Sequence, residues 1–287
     1  MNKIDLTTYD LSAGLYLIAT PIGNERDISI RSLEYLNSVD IIACEDTREF
    51  KKLAKTWGLV AKKLITYHMH NEATSTKGIL ELIQKGQSIA LVSDAGTINI
   101  SDPGHHIVRA CLQNNIHLES LPGASALACA LSLSPAEPPY VFHAFIAKKA
   151  TERLKTLNTT LDGKSHVFFE SAHRINEHII QAKDLFPNRE VVLLKDLTKK
   201  FQQIAYGSLH DLSQNLQLID GKGEFVLIYL PQQDDKTKDI ILDKFIPVAL
   251  RAGMKNKEIL EWLKDISTES RKSIYERIEL VKTTCKK

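Results

Sequence analysis

The sequence predicts an α/β fold: two α/β domains with a cleft between them, followed by a small helical module. Up to residue 122, short apolar segments alternate with stretches of helical periodicity, which is the pattern of a sheet flanked by helices. Three of the apolar segments stop abruptly at loops rich in Gly, Pro and Ser. We therefore place the N-terminal domain at residues 12–122, the C-terminal domain at 123–231 and the helical module at 237–287.

The N-terminal domain is predicted to hold a parallel sheet with helices packed against it. Helical periodicity covers residues 28–37 and 77–85 and returns at Ile107. Strands that are separated by helices pair in parallel, because each crossover helix returns the chain to the same end of the sheet. The predicted strands are 15–19, 39–44, 64–67, 88–92 and 117–121.

The C-terminal domain is predicted to hold a mixed sheet. Three prolines within residues 135–139 form a rigid connector ahead of it. Helices are predicted at 150–161 and 174–185, so the later strands follow one another after short turns. Part of this sheet should therefore be antiparallel. The predicted strands are 140–145, 166–170, 190–194, 202–206 and 224–230.

The helical module follows a polar linker at residues 232–238 and divides into segments 240–250, 257–263 and 270–281. Short helices joined by tight turns resemble a helix-turn-helix. Residues 236–287 hold 13 Lys or Arg and eight Asp or Glu, whereas the rest of the chain carries a small negative net charge. A basic module predicts an anionic partner. A solvated helical face or a small packing bundle would give the same pattern.

Three loops at predicted strand ends indicate a ligand site: Thr20–Asn24, Ser93–Thr97 and Pro122–Ala126. In a parallel sheet the carboxyl ends of the strands share one edge, so these loops can converge there. Small residues let a ligand approach backbone N–H and C=O groups, and the Asp94 carboxylate can accept from a ribose hydroxyl. An ordinary strand-to-helix turn is the alternative for each loop taken alone.

Charged side chains follow other predicted strands. Glu45, Asp46 and Arg48 come directly after the strand at 39–44, and Lys199 follows the strand at 190–194. We expect them to face the substrate side of the cleft and not the core, although Asp46 could also cap a helix. We expect the same of three residues in the predicted C-terminal domain: Glu170, His173 and Arg174.

Composition and motif spacing argue against several classes of protein. With 287 residues, 43% hydrophobic and 25% charged, the chain has the make-up of a globular protein, and no apolar run approaches the roughly 20 residues of a membrane helix. Residues 1–10 lack a signal-peptide core, so we expect a cytoplasmic protein. The histidines and cysteines lack the spacing of a metal site. Reduced thiols are expected at Cys44, Cys111, Cys129 and Cys285.

Eight short motifs occur in a fixed order between residues 12 and 231: Thr20–Asn24, Glu45–Arg48, His70–Glu72, Ser93–Thr97, Ser101–Gly104, Pro122–Ala126, Glu170–Arg174 and Leu197–Lys199. Together they resemble the tetrapyrrole-methylase-type, S-adenosylmethionine-dependent enzymes. Within these, they resemble the branch that methylates the 2′-oxygen of a decoding-centre cytidine in small-subunit (16S) ribosomal RNA. The chain departs from the family at Ile98-Asn99, because the family usually has a proline after the threonine of this loop.

The resemblance implies S-adenosyl-L-methionine as the cofactor, small-subunit rRNA or the 30S subunit as the partner, a homodimer, and neither a metal nor a membrane. The residues expected to hold the cofactor are Pro21, Gly23, Asp94, Ala95, Gly96, Thr97, Ser125 and Ala126. Catalysis should use a general base for the weakly acidic 2′-hydroxyl, together with ligands for the neighbouring phosphates. The candidates, among which the base stays open, are Glu45, Asp46, Arg48, Glu170, His173, Arg174 and Lys199.

Two other functions stay open. A tetrapyrrole C-methyltransferase would share the fold and the cofactor, although the Glu45–Arg48 segment, the Glu170–Arg174 segment and the basic module favour RNA. A non-catalytic RNA-binding relative would keep the fold with a cofactor loop altered at Ile98-Asn99. Binding of the cofactor separates this second alternative from both enzymes.

Overall fold

The computed structural model describes residues 5–60, 62–214, 222–232, 237–263 and 269–284. Cys285, residues 233–236 of the predicted linker and the helix junction at 266–268 lie outside the described residues. The chain divides into two compact units. The first comprises Met1–Cys129 with Leu197–Lys200, and the second comprises Ala130–Asp196 with Phe201–Lys287.

The first unit is built on a five-stranded sheet of β1 (Gly14–Ile18), β2 (Ile41–Cys44), β3 (Lys63–Thr66), β4 (Ser88–Val92) and β5 (His117–Leu121). The strand order is β3-β2-β4-β1-β5, and every neighbouring pair is parallel. The predicted parallel sheet is therefore confirmed. The central strand β4 is buried along its whole length, as its apolar run indicates.

The helices that follow these strands are α1 (Ile30–Ser38), α2 (Thr47–Trp57), α3 (Glu72–Gln84), α4 (His105–Gln113) and α5 (Ala126–Ser132). Helices α1 and α2 share a core cluster with Ala90 and Val92, whereas α3 and α4 share another with Ile89 and Leu91. Since neighbouring residues of a strand point to opposite faces, the two helix pairs lie on opposite sides of the sheet.

The strand order creates a topological switch point between β1 and β4. These strands are neighbours, but β1 leads into α1 on one face and β4 leads into α4 on the other. Adjacent loops that leave in opposite directions open a crevice at the carboxyl edge of the sheet, where α/β proteins bind ligands. The fold thus singles out the loops after β1 and β4.

The second unit is built on another five-stranded sheet, of β6 (Tyr140–Phe145), β7 (Ser165–Ser171), β8 (Glu190–Lys195), β9 (Gln203–Ser208) and β10 (Glu224–Tyr229). Its strand order is β6-β7-β10-β8-β9. Strands β6 and β7 pair in parallel, and the other neighbours pair antiparallel. The predicted mixed sheet is confirmed.

The helices of the second unit are α6 (Ala150–Thr159), α7 (Ile175–Leu185), α8 (Leu209–Gln214), α9 (Thr237–Arg251), α10 (Asn256–Leu263) and α11 (Arg271–Thr284). The last three form the predicted helical tail. Phe245, Ile259 and Ile274 of the tail are buried in one cluster with Phe168 and Leu227 of the sheet. The tail therefore completes the core of this unit. Within the described ranges, no helix has both the length and the apolar content needed to cross a membrane.

Candidate active site

Hydrogen bonds join the loops that follow β1 and β4. The Thr20 N–H donates to the Gly96 carbonyl and the Gly96 N–H donates to the Thr20 carbonyl, each at 3.0 Å. The Thr20 hydroxyl donates to the Ser93 carbonyl at 3.1 Å, and the Ser93 hydroxyl donates to the Gly96 carbonyl at 3.1 Å. These bonds fix both loops at the switch point. Beside Gly96, which is buried, Asp94 and Ala95 are exposed.

The loop after β5 joins the same site. The Thr97 hydroxyl donates to the Ala124 carbonyl at 2.9 Å. A Cβ on Gly123 would lie 2.7 Å from the Cβ of Ala19, so this loop can approach the end of β1 only with glycine there. Two predicted cofactor residues follow in this loop and at the start of α5. They are Ser125 and Ala126, and both are half-buried. The three loops thus meet in the first unit, as their strand-end positions predict.

The departure from the family at Ile98-Asn99 has a structural explanation. Ile98 is 5% exposed and packs into the core cluster that contains α3 and α4. Asn99 takes a left-handed backbone, with φ of 68°, which asparagine tolerates better than most residues. Its buried Oδ1 has no hydrogen-bond partner in the described part of the chain. The chain thus turns here through an asparagine, and the isoleucine anchors the loop in the core.

A cavity of about 210 Å³ opens beside the joined loops. Thr20, Pro21, Gly23, Ser93 and Asp94 line it from the loops after β1 and β4. The remaining lining residues are Glu25, Cys44, Glu49, Phe50, Lys52 and Leu53. This mixture of small residues, polar groups and a few apolar side chains is typical of a small-molecule site.

A second basin, of about 450 Å³, adjoins the cavity and shares Gly23 and Glu25 with it. Lys199 belongs to this basin and to the first unit. A Cβ on Gly23 would lie 2.5 Å from Lys199 Cγ, and the Asn24 N–H donates to the Thr198 hydroxyl at 3.1 Å. The other residues that line the basin are Asn24, Arg26, Thr198 and Lys200. Three basic side chains, those of Arg26, Lys199 and Lys200, therefore line this basin in or beside the loop after β1.

The loop after β2 connects to the same site through Asp46. Its backbone N–H donates to Asp94 Oδ1 at 3.0 Å. Its carboxylate caps α2 by accepting from the Arg48 N–H at 2.8 Å, and it also pairs with the Arg48 guanidinium at 2.7 Å. The hydrogen bonds from Arg48 lower the pKa of Asp46 to about 2. Asp46 is therefore a helix cap with little tendency to take up a proton, and Arg48 is highly exposed beside it.

Three carboxylates of the first unit have raised pKa values. Burial raises the pKa of Glu45 and of Asp94, and the carboxylate of Asp94 raises that of Glu45 further. Burial, together with Glu45 and Asp94, raises the pKa of Asp102 to about 6. Carboxylates with shifted pKa values are often found at functional sites, and Asp94 is the one of these three that lines the cavity. Asp102 is missing from the predicted site residues, although its place in the Ser101–Gly104 motif was a signal for it.

Glu72 of the His70–Glu72 motif has a structural task. It is 8% exposed, and its Oε1 accepts from the Gly104 N–H at 2.9 Å and from the His106 N–H at 3.2 Å. The Tyr67 hydroxyl donates to the same oxygen at 2.9 Å. A carboxylate at the N-terminus of a helix is favourable because it meets unpaired N–H groups and the positive end of the helix dipole. Glu72 thus anchors the start of α4 and the end of the loop after β4.

In the second unit, the expectation that Glu170 lies outside the core is wrong. Glu170 is 2% exposed, because it ends the buried strand β7. Its Oε1 pairs with the Arg174 guanidinium at 2.7 Å and accepts from the Ser171 N–H at 2.8 Å. Burial opposes its charge, but the contacts with His178, Ser171 and Arg174 hold the pKa of Glu170 below its usual value. His173 is exposed and Arg174 is partly exposed on the same turn.

Comparisons with known proteins agree on one family. A sequence profile described as Tetrapyrrole (Corrin/Porphyrin) Methylases matches residues 14–213. The chain is 34% identical to a protein of Streptococcus pyogenes serotype M18 named ribosomal RNA small subunit methyltransferase I, over 93% of this chain and 94% of the relative. It is also 34% identical to the protein of that name from Rickettsia prowazekii, over 96% and 98% of the two chains.

A solved structure shows the same fold. A cobalt precorrin-4 methyltransferase of cobalamin biosynthesis aligns with a TM-score of 0.54 over 76% of this chain and 95% of that one. The sequence identity is 13%, so this likeness concerns the fold alone.

Proposed function

Because this chain belongs to the tetrapyrrole (corrin/porphyrin) methylase family, whose methyl donor is S-adenosyl-L-methionine, we propose that it methylates small-subunit ribosomal RNA. The proposed acceptor is the 2′-oxygen of a cytidine ribose in the decoding centre. Support for an RNA substrate comes from the name carried by relatives that align with 93% and 96% of this chain.

One structural observation carries the proposal. The loops after β1, β4 and β5 are hydrogen-bonded to each other beside a cavity at the switch point of a parallel sheet. Their small side chains, backbone polar groups and Asp94 carboxylate fit a nucleoside that carries ribose hydroxyls and a positive charge. The residues proposed to hold S-adenosyl-L-methionine are Pro21, Gly23, Asp94, Ala95, Gly96, Thr97, Ser125 and Ala126. When bound, this cofactor supplies a methyl group that its sulfonium already activates.

The proposed base is Glu45 or Asp102. A 2′-hydroxyl is a weak acid, so a base that removes its proton in the transition state contributes about 10²- to 10⁴-fold to the rate. Burial raises the pKa of both carboxyl groups, which makes each carboxylate a stronger base. Asp46 is held by Arg48 and Glu170 is held by Arg174, so both are weaker candidates. The exposed His173 remains a candidate.

The remaining candidates are cations that suit phosphates. Arg48, Arg174 and Lys199 are proposed to bind the RNA backbone on either side of the target nucleotide. Such contacts carry no base specificity, but they fix the position of the 2′-oxygen, and correct orientation can lower a barrier by up to about 7–11 kcal/mol. We extend the proposal, on the family resemblance alone, to a homodimer that acts in the cytoplasm on naked rRNA or on the 30S subunit.

A methyl-transfer assay tests the proposal. The protein is incubated with tritiated S-adenosyl-L-methionine and a decoding-centre hairpin, and a matched hairpin carries 2′-deoxycytidine in place of each cytidine. Label should enter the ribose form and not the deoxy form. Equal labelling of both would contradict 2′-O transfer, and labelling of uroporphyrinogen or a precorrin instead would favour the C-methyltransferase. An absence of cofactor binding in calorimetry, together with no transfer to any of these, would favour a non-catalytic relative.

A further inference from the structure

A chain of polar side chains runs through the second unit from β10 to Arg174. The Tyr229 hydroxyl lies 2.8 Å from His178 Nε2, and His178 Nδ1 lies 3.4 Å from Glu170 Oε2. The other oxygen of Glu170 holds the Arg174 guanidinium, at 2.9 Å from Nε and 2.7 Å from Nη2. The four side chains thus connect a core strand with a cation on the turn between β7 and α7.

The chain has one natural arrangement of protons. Arg174 can only donate, so Glu170 is a carboxylate that accepts through Oε1. A neutral His178 with its proton on Nδ1 points that N–H toward Glu170 Oε2 and accepts the Tyr229 O–H at Nε2. Neither Glu170 Oε2 nor His178 Nδ1 makes a hydrogen bond of ordinary geometry among the residues that the structure describes, so their 3.4 Å contact is electrostatic. Each atom has the other as its close polar neighbour in this buried chain.

A buried chain of polar side chains stabilises a core less than apolar side chains would. Tyr229, His178 and the Glu170 side chain are 0% exposed. Burial of a carboxylate and an imidazole costs more than burial of apolar side chains of the same size. Packing does not explain the polar groups. The contacts of Phe168 with His178 and Tyr229 are edge-on contacts between rings, which need neither the imidazole nitrogens nor the hydroxyl. The buried groups meet solvent at one member, Arg174, whose side chain is 21% exposed.

The pair of Arg48 and Asp46 provides a comparison for the pair of Arg174 and Glu170. Arg48 also pairs with a carboxylate, that of Asp46, but its side chain is 84% exposed and its partner lies on the surface. An exposed pair of this kind holds its geometry weakly. The carboxylate of Glu170 is more restrained, because it is buried, its Oε1 accepts from the Ser171 N–H at 2.8 Å and its Oε2 lies against His178 Nδ1 at 3.4 Å. The guanidinium of Arg174 is therefore held in one orientation before any ligand arrives.

We propose that His178 and Tyr229 are positioning residues that, through Glu170, hold the Arg174 guanidinium ready for a phosphate of the substrate RNA. This inference rests on the proposed function. A guanidinium with a fixed plane can present two parallel N–H groups to a phosphate and loses less conformational entropy on binding. The role is one of affinity and orientation, so it should appear in KM for RNA and not in cofactor binding.

A double-mutant cycle in methyl transfer to a decoding-centre hairpin tests the proposal. Tyr229→Phe removes one hydroxyl and should raise KM for RNA about fivefold, the effect expected of coupled neighbours, with kcat and cofactor affinity kept. In an Arg174→Ala background, Tyr229→Phe should change KM no further. The matched control is Tyr16→Phe in the first unit, a buried tyrosine whose hydroxyl donates to the Ser12 carbonyl at 2.9 Å. This control should leave KM unchanged.

A second pair of variants tests His178. In His178→Asn, the amide N–H can take the place of Nδ1–H, so this variant should keep more RNA affinity than His178→Leu. Equal loss in both variants, or a Tyr229→Phe effect of the same size with and without Arg174, would show that these residues only stabilise the fold and would overturn the proposal.

A spectroscopic readout needs no RNA. The Nε–H resonance of Arg174, assigned by its loss in Arg174→Lys, should exchange slowly with water in the free protein. It should broaden or exchange faster in Tyr229→Phe but not in Tyr16→Phe. An unchanged resonance in Tyr229→Phe would reject the positioning role. A wild-type protein that shows the slow resonance but transfers no methyl group to RNA would reject the proposed substrate and keep the positioning role for another anion.

Discussion

Gly96 shows how one backbone conformation holds the candidate cofactor site. Its φ is 84°, and a Cβ there would lie 3.1 Å from Ile22 Cγ2. A side chain at such a φ costs roughly 1–2 kcal/mol, and the residue also makes both hydrogen bonds to Thr20. The sequence marks the glycine, but only the structure shows that it joins two loops.

We expect Gly96→Ala to lower the free energy of unfolding by about 1–2 kcal/mol and to weaken cofactor binding, because the Thr20–Gly96 bridge must shift. Urea unfolding and calorimetry measure the two effects. Gly78→Ala is the matched control: Gly78 lies in α3 with nothing within 4 Å of its added Cβ, so the change should stabilise the protein by about 0.5–1 kcal/mol and leave binding unchanged. Unchanged cofactor affinity in Gly96→Ala would remove this loop from the site.

Asp102 gives a prediction for pH. Its pKa in the folded protein is raised to about 6 from 3.8, so the folded state holds a proton that the unfolded state releases. Stability is then lost as the pH rises through this window, and the full penalty applies above it. We expect Asp102→Asn to stabilise the protein by about 1 kcal/mol at neutral pH, after allowance for solvent screening, and much less at about pH 4. Urea unfolding at both pH values measures this, and a gain that is equal at both would contradict the assignment.

At the scale of elements, the predictions succeed where burial sets the pattern. The strand prediction at 88–92 coincides with β4, because a fully buried strand is marked by an apolar run bounded by polar turn residues. The prediction at 117–121 coincides with β5, which is mostly polar and is buried only at Leu121. Helix α2 is missing from the predicted helices. Yet its apolar residues Phe50, Leu53, Ala54 and Trp57 recur at helical spacing and pack into one core cluster, so the periodicity of the sequence does mark this helix. The Asp46 cap marks its start.

The basic tail behaves differently from a detachable RNA-binding module. Its helices bury Phe245, Ile259 and Ile274 in the core of the second unit, so truncation after Leu230 would expose that core. Point substitutions on the exposed face therefore test RNA docking more cleanly than truncation. Lys257 of α10 and Lys272 of α11 are both exposed.

We expect the double substitution Lys257→Gln and Lys272→Gln to weaken RNA binding and to reduce the slope of log affinity against log salt, by about 0.7–0.9 for each phosphate that a lysine no longer neutralises. Fluorescence anisotropy across a salt series measures both quantities. The control is Lys77→Gln on α3 of the first unit, an exposed lysine far along the chain from the tail. A slope that stays the same in the double variant would show that the tail serves packing alone.

Across the two units, the positions of the ligand loops were predictable from the sequence, whereas the surroundings of individual side chains were not. The loops after β1, β4 and β5 were predictable, because the carboxyl ends of parallel strands must share an edge. The burial of Glu170 and the raised pKa of Asp102 were not, because both depend on which distant segments pack around them. The predicted assignments of catalytic and cofactor residues stay predictions until variants are assayed.

We propose that this protein methylates a ribose 2′-oxygen in small-subunit rRNA. Mass spectrometry of nucleosides and fragments from the 30S rRNA tests it most directly, in cells that lack the protein and in the same cells complemented with it. We predict that a 2′-O-methylated cytidine in the decoding centre loses that methyl group in the deletion and regains it on complementation with the wild type but not with Gly96→Val. An rRNA methylation pattern that is identical with and without the protein would contradict the claim.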